Sequence, residues 1–113
     1  GIRGESDSAR RIESAMRFIK ENCADKINIS LLAARYGMSY ESFRHIFKKV
    51  YGMSPHSFAV YHRLLNACSM LCGSDKSCTE IALMCGFTDS AQFSKMFKAQ
   101  FGVTPRKFRS SVI

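Results

Sequence analysis

Nowhere in this chain of 113 residues is there an apolar run of more than a few residues, far short of the ~20 that a membrane-spanning helix needs. The first residues also lack the apolar core of a signal peptide, so a soluble, cytoplasmic protein with no membrane partner is expected. Sustained two-residue alternation between hairpin turns is missing, which argues against strands. No CxxC pair occurs among the five cysteines at 23, 68, 72, 78 and 85, and their number is odd. They read as reduced thiols rather than a disulfide frame. Signatures of the Ser-His-Asp or Cys-His kind, a phosphate-cradling glycine loop and paired catalytic carboxylates are all lacking, so neither an enzyme nor a bound cofactor is expected.

What the chain does have is basic charge, 17 Lys and Arg against 9 Asp and Glu, and its placement is uneven. The net charge is +5 over residues 8–53, zero over 54–85 and +4 over 86–113. A polyanion is the partner such a balance suits. With 46% apolar residues the chain can still bury a core as one compact unit.

The two basic segments repeat one another. "GMSYESFRHIFKKVYGMSPHSF" from residue 37 matches "GFTDSAQFSKMFKAQFGVTPRKF" from residue 86. Ala33 pairs with Ala82 and Gly37 with Gly86; after one inserted residue, Phe43, Phe47, Lys48, Gly52, Pro55 and Phe58 pair with Phe93, Phe97, Lys98, Gly102, Pro105 and Phe108. The insertion falls between Gly86 and Phe93, in a turn or first helical residue, where it costs least.

Local signals divide the chain into about seven helices, near 8–23, 30–36, 40–51, 55–72, 78–85, 90–101 and 105–111. Gly37, Gly52, Gly73, Gly86 and Gly102 each close an apolar-periodic stretch and read as left-handed helix ends. Ser54-Pro55 and Thr104-Pro105 read as N-caps with proline in the first helical position, and Ser77 with Glu80 as a capping box. Residues 1–7, "GIRGESD", are polar, begin without methionine and are expected to be a linker or cloning remnant.

Each repeat places a small residue four positions before a glycine turn and follows it with a second helix, the arrangement of a helix-turn-helix. In the first copy, Phe43, Ile46, Phe47 and Val50 form the expected buried stripe, leaving Glu41, Arg44, His45 and Lys48 outside. In the second, Phe93, Met96 and Phe97 turn inward, while Ala91, Ser94, Lys95 and Lys98 face out with Gln92 at their edge. A solvated helix often shows such a face. Its recurrence after the same turn, basic both times, favours a surface that reads DNA.

These residues resemble the AraC/XylS class of bacterial transcription regulators, in particular their C-terminal DNA-binding domain. The resemblance spans about residues 10 to 110 and is carried by "SLLAARYGMSYESFRHIFKKVYGMSPHSF", by Arg63, Ala67 and Leu71, and above all by "EIALMCGFTDSAQFSKMFKAQFGVTPRKFR". It implies an all-α domain of two homeodomain-like lobes, 8–53 and 74–113, joined by a linker helix at 54–73. Both recognition helices would enter the major groove on one side of the DNA. A separate sensing domain and a contact with RNA polymerase would belong to the full regulator, with this domain monomeric. Cys85, where the family often has an aliphatic residue, and Glu41, an acid on the first reading face, depart from the pattern.

The joining segment has no Gly or Pro between Pro55 and Cys72, and its 18 residues make a helix about 27 Å long. Such a stiff spacer suits two heads about 34 Å apart on successive major-groove segments. Phe58, Tyr61, Leu64, Leu65, Cys68, Leu71 and Cys72 form its expected packing set. Base edges are assigned to Glu41, Arg44, His45, Gln92, Ser94 and Lys95, with Arg44 forking onto guanine, Gln92 onto adenine and Glu41 accepting from cytosine. Phosphates are assigned to Lys48, Lys49, Lys98 and Arg106. His56 and His62 read as surface or linker residues.

Two other readings compete. Cys68 and Cys72 share a helix face near Cys78 and offer a soft-metal or redox-responsive site, although small buried thiols are the plainer account. A basic helical module for RNA or acidic protein is the second, but RNA readers present exposed aromatics, and here the nine phenylalanines fall mostly on inward stripes.

Overall fold

The computed structural model describes residues 2–111, with side chains from residue 7. Its elements, in order, are α1 (Ile2–Glu21), α2 (Ile29–Arg35), α3 (Tyr40–Tyr51), α4 (Pro55–Gly73), α5 (Cys78–Met84), α6 (Ser90–Phe101) and α7 (Pro105–Ser111). The fold is all-α, with no strand among the described residues. The bounds predicted for α3, α6 and α7 hold to the residue, those of α4 and α5 differ by one position at the C-terminal end, and α2 is shifted by one position at both ends.

α1 differs more, running from Ile2 where the spacing predicts a start at 8. Apolar periodicity marks where a helix meets the core, and the first buried side chain is Ile12. The polar residues before it carry no proline, so nothing stops the helix from extending outward. At the other end Asn22 turns its side-chain amide onto the Phe18 carbonyl at 2.9 Å and closes the helix before 23.

Two compact units form, Gly1–Val60 and Tyr61–Ile113, and the division falls inside α4. In the first, Ile12, Ala15 and Ile19 of α1 join Leu32 and Ala33 of α2, Phe43 and Phe47 of α3, and Phe58 and Ala59 of α4. In the second, Leu64, Ala67 and Leu71 of α4 are buried, as are Ile81 and Ala82 of α5 and Phe93 and Phe97 of α6. The leading helix of each core thus uses the same spacing, i, i+3, i+7, with alanine in the middle.

Aromatic rings repeat with nearly the same geometry. Phe47 lies 5.8 Å from Phe43, 4.8 Å from Tyr51 and 5.3 Å from Phe58. Phe97 lies 5.7 Å from Phe93, 4.7 Å from Phe101 and 5.5 Å from Phe108. Fully burying each such ring contributes roughly 1.5–3 kcal/mol, and tilted or edge-on pairs about 0.5–1.5 kcal/mol more.

Three packing expectations are corrected. Val50 is 55% exposed, because Tyr51, eight residues after Phe43 and tilted against the Phe47 ring, completes the inner stripe instead. Cys72, expected to pack, is exposed. Gly73 ends α4 without the left-handed φ seen at Gly37, Gly52, Gly86 and Gly102. Side chains make that conformation unnecessary there: Ser74 Oγ donates to the Met70 carbonyl at 2.7 Å, and Arg109 donates to Leu71 and Ser74 carbonyls.

Candidate nucleic-acid interface

Each unit brings a recognition helix to the surface through the same turn. Ala33 and Ala82 are fully buried, so neighbouring helices can close on them. Gly37 (φ 73°) and Gly86 (φ 96°) then take the left-handed conformation that side-chain-bearing residues avoid. The amides of Met38 and Phe87 donate to the Ala33 and Ala82 carbonyls, both at 2.9 Å, and the Gly37 and Gly86 amides donate to Ala34 and Leu83. This pairing is a Schellman-type helix end in both places.

Beyond the turn the units diverge by one residue. Two positions after Gly37, Ser39 caps α3, its Oγ accepting from the Ser42 amide at 3.2 Å. Three positions after Gly86, Asp89 caps α6, Oδ1 accepting from the Gln92 amide at 2.7 Å. The inserted residue therefore lies in the turn before the cap, and both helices then run twelve residues to a left-handed glycine.

On α3 the buried Phe43 and Phe47 hold one face, and Glu41, Arg44, His45, Lys48 and Lys49 are exposed on the other, lining one open concavity. Tyr40, which the sequence reading passes over, is 44% exposed and shares the face of Arg44 and Lys48 by its i, i+4, i+8 spacing. That spacing was the available signal. On α6, Gln92, Lys95 and Lys98 are exposed and Ser94 is half-buried. Arg106 is exposed in the first turn of α7, after the Thr104 cap whose Oγ1 accepts from the Lys107 amide at 3.2 Å.

The capping network changes what Gln92 can offer. Its Oε1 accepts from the Thr88 amide at 2.9 Å, while its own amide is held by Asp89. A fork onto adenine uses both ends of the carboxamide, and while Oε1 keeps a second lone pair, the Thr88 bond sets the direction in which it and Nε2 point. Two exposed cations have partners within the protein: Arg35 lies 5.8 Å over the Phe18 ring, and Arg17 pairs with Glu13 at 2.7 Å.

The thiols form no larger cluster. Among the described residues no three His, Cys, Asp or Glu side chains stand together as a metal-holding group. Burial pushes the Cys68 thiol above its ordinary value, and neighbouring Cys72 adds to the shift. Burial likewise raises the Tyr51 phenol, with a smaller contribution from Glu13. All nine phenylalanines are buried or half-buried, leaving none as an open stacking platform.

The chain is similar to proteins of one kind. A family profile described as a helix-turn-helix domain matches residues 32–111. The HTH-type transcriptional activator RhaS of Yersinia pestis (strain Pestoides F) is 34% identical over 106 residues, covering 94% of this chain and 39% of RhaS, so the chain spans well under half of that relative. Among solved structures, the DNA-binding domain of AdpA, a global transcriptional factor, in complex with a target DNA superposes with a TM-score of 0.82 at 28% identity, covering 88% of this chain and 90% of that one. An AraC-type regulator from Chromobacterium violaceum gives 0.84 at 27% identity, covering 93% and 94%.

Proposed function

Since the chain belongs to the AraC-type helix-turn-helix family of transcription regulators, we propose that it binds double-stranded DNA sequence-specifically within a bacterial regulator, presenting α3 and α6 to successive major-groove segments. One observation carries this reading. Two helices that follow the same glycine turn pack the same ring pattern inward and turn polar, mostly basic faces outward. Packing alone asks nothing of those faces.

In the first head Arg44 forks onto guanine O6 and N7, Glu41 accepts from cytosine N4, and His45 reads beside them. In the second, Lys95 and Ser94 meet base edges, joined by Gln92 on adenine. Lys48, Lys49, Lys98 and Arg106 hold phosphates and set the register without reading sequence. α4 serves as the spacer between heads at 8–53 and 74–113. Two unlike heads in one chain let a monomer read an asymmetric site, with RNA polymerase engaged by the full regulator in the cytoplasm.

Selection from a randomised duplex library, followed by competition titrations, tests this. The selected duplex is expected to bind more tightly than scrambled duplex or RNA of the same sequence. Equal competition by RNA would instead favour a general polyanion-binding module.

A further inference from the structure

We propose that Arg109 is a positioning residue for the second recognition helix, holding α7 as a strut between the end of α4 and α6; this rests on the DNA-reading role of α6 proposed above. α7 is only seven residues long, Pro105–Ser111. Phe108 on it meets Phe97 of α6 with ring centroids 5.5 Å apart. The next residue, Arg109, points its guanidinium at the end of α4. Nε donates to the Leu71 carbonyl at 3.0 Å and Nη2 to the Ser74 carbonyl at 3.2 Å, partners 38 and 35 residues away in the chain.

These carbonyls are the groups a helix C-terminus leaves unsatisfied, and a cation is favoured there by the helix dipole. At this end the Ser74 amide takes the Met70 carbonyl at 3.0 Å, and Arg109 takes the Leu71 carbonyl next to it. A guanidinium offers two donors in one rigid plane, so it fixes direction as well as distance. Arg109 is half-buried in this role. Among the basic residues of "TPRKFR" it is therefore engaged inside the protein, while Arg106 and Lys107 stay exposed.

The matching position of the first unit carries no arginine. The repeat pairs Pro55 with Pro105 and Phe58 with Phe108, which sets Ala59 opposite Arg109. Ala59 is 5% exposed inside α4, a helix that continues for fourteen residues beyond it to Gly73. There the segment carrying Phe58 is anchored by its own continuation. On α7 the residue after Phe108 is Arg109, whose side chain supplies a second anchor.

The test uses the whole chain with Arg109→Ala and Arg109→Lys, titrated against the selected duplex and against duplexes scrambled in one half-site at a time. Arg109→Ala is expected to lose about tenfold in discrimination at the half-site read by α6, with the other half-site unchanged. Arg109→Lys, which keeps the charge but offers a point donor, is expected to lose less at the same half-site; it also carries the test if the alanine variant does not fold. The proposal is overturned if both variants melt at lower temperature yet keep full discrimination, or if discrimination falls equally at both half-sites. A wild-type chain that does not separate selected from scrambled duplex overturns the DNA-reading role itself, and this proposal with it.

Discussion

The first unit and the second share an interior and differ in what they show to solvent. Around Phe47 and Phe97 the matching ring distances agree to within a few tenths of an ångström. Most outward positions, Lys48 and Lys98 apart, do not match: Glu41, Arg44 and Lys49 stand opposite Ala91, Ser94 and Ala99. Interior side chains must fill a fixed volume, so their sizes and spacing are held. Outward ones meet only solvent or a ligand, which leaves them free to differ between the heads.

The strongest way to break this comparison is through the interior. Phe47→Ala and Phe97→Ala are each expected to cost about 3–5 kcal/mol in urea unfolding. A large loss in one with little in the other would show that the two cores are alike in shape but not in energetic role. At the surface the heads should separate instead. Arg44→Ala is expected to weaken specific binding by about 1–3 kcal/mol and relax preference at one base pair, with a smaller effect from Ser94→Ala. A randomised-site selection with all its information in the half-site read by α6 would contradict a dominant first head.

Caps give a finer contrast. α5 starts with a reciprocal box, Ser77 Oγ accepting from the Glu80 amide at 3.1 Å and Glu80 Oε1 accepting from the Ser77 amide at 3.4 Å. At the start of α2, Asn28 Oδ1 accepts from the Leu31 amide at 3.1 Å. Ser77→Ala and Asn28→Ala should each cost about 1 kcal/mol by thermal unfolding, Ser77→Ala somewhat more because Glu80 Oε1 also loses the hydroxyl that donates to it at 3.1 Å. The smallest effect is expected from Lys98→Ala, which should weaken binding to all sequences alike and make the salt dependence shallower by about one unit of slope. Lys48→Ala should do the same, the position being common to both heads.

Much of the fold was legible because its signals are local. Thr104-Pro105 and the glycines Gly52 and Gly102 mark ends within a few residues of themselves, and α3 and α6 end and α7 begins where those residues place them. α1 was not legible at its start, since polar residues ahead of Ile12 carry no periodic signal. Val50 was misplaced because a seven-residue step and an eight-residue step both fit a helical stripe, and only the ring of Tyr51 against Phe47 decides between them. Gln92 is exposed as its place on the helix predicts, but its bond to the Thr88 amide depends on how the longer second turn closes.

By itself the sequence determined two helix-turn-helix repeats, their turn glycines, their inward rings and the basic character of both outer faces. Those properties follow from spacings of three, four and seven residues, within which a helix chooses its own neighbours. Only the tertiary structure decided which polar groups remain available on those faces. Arg109 reads in the sequence as one more cation in a basic tail, yet it is held by carbonyls 35 and 38 residues away. Such a partner is set by how α4 and α7 pack, because a backbone carbonyl looks the same in every residue and carries no mark in the sequence until the fold brings a donor to it.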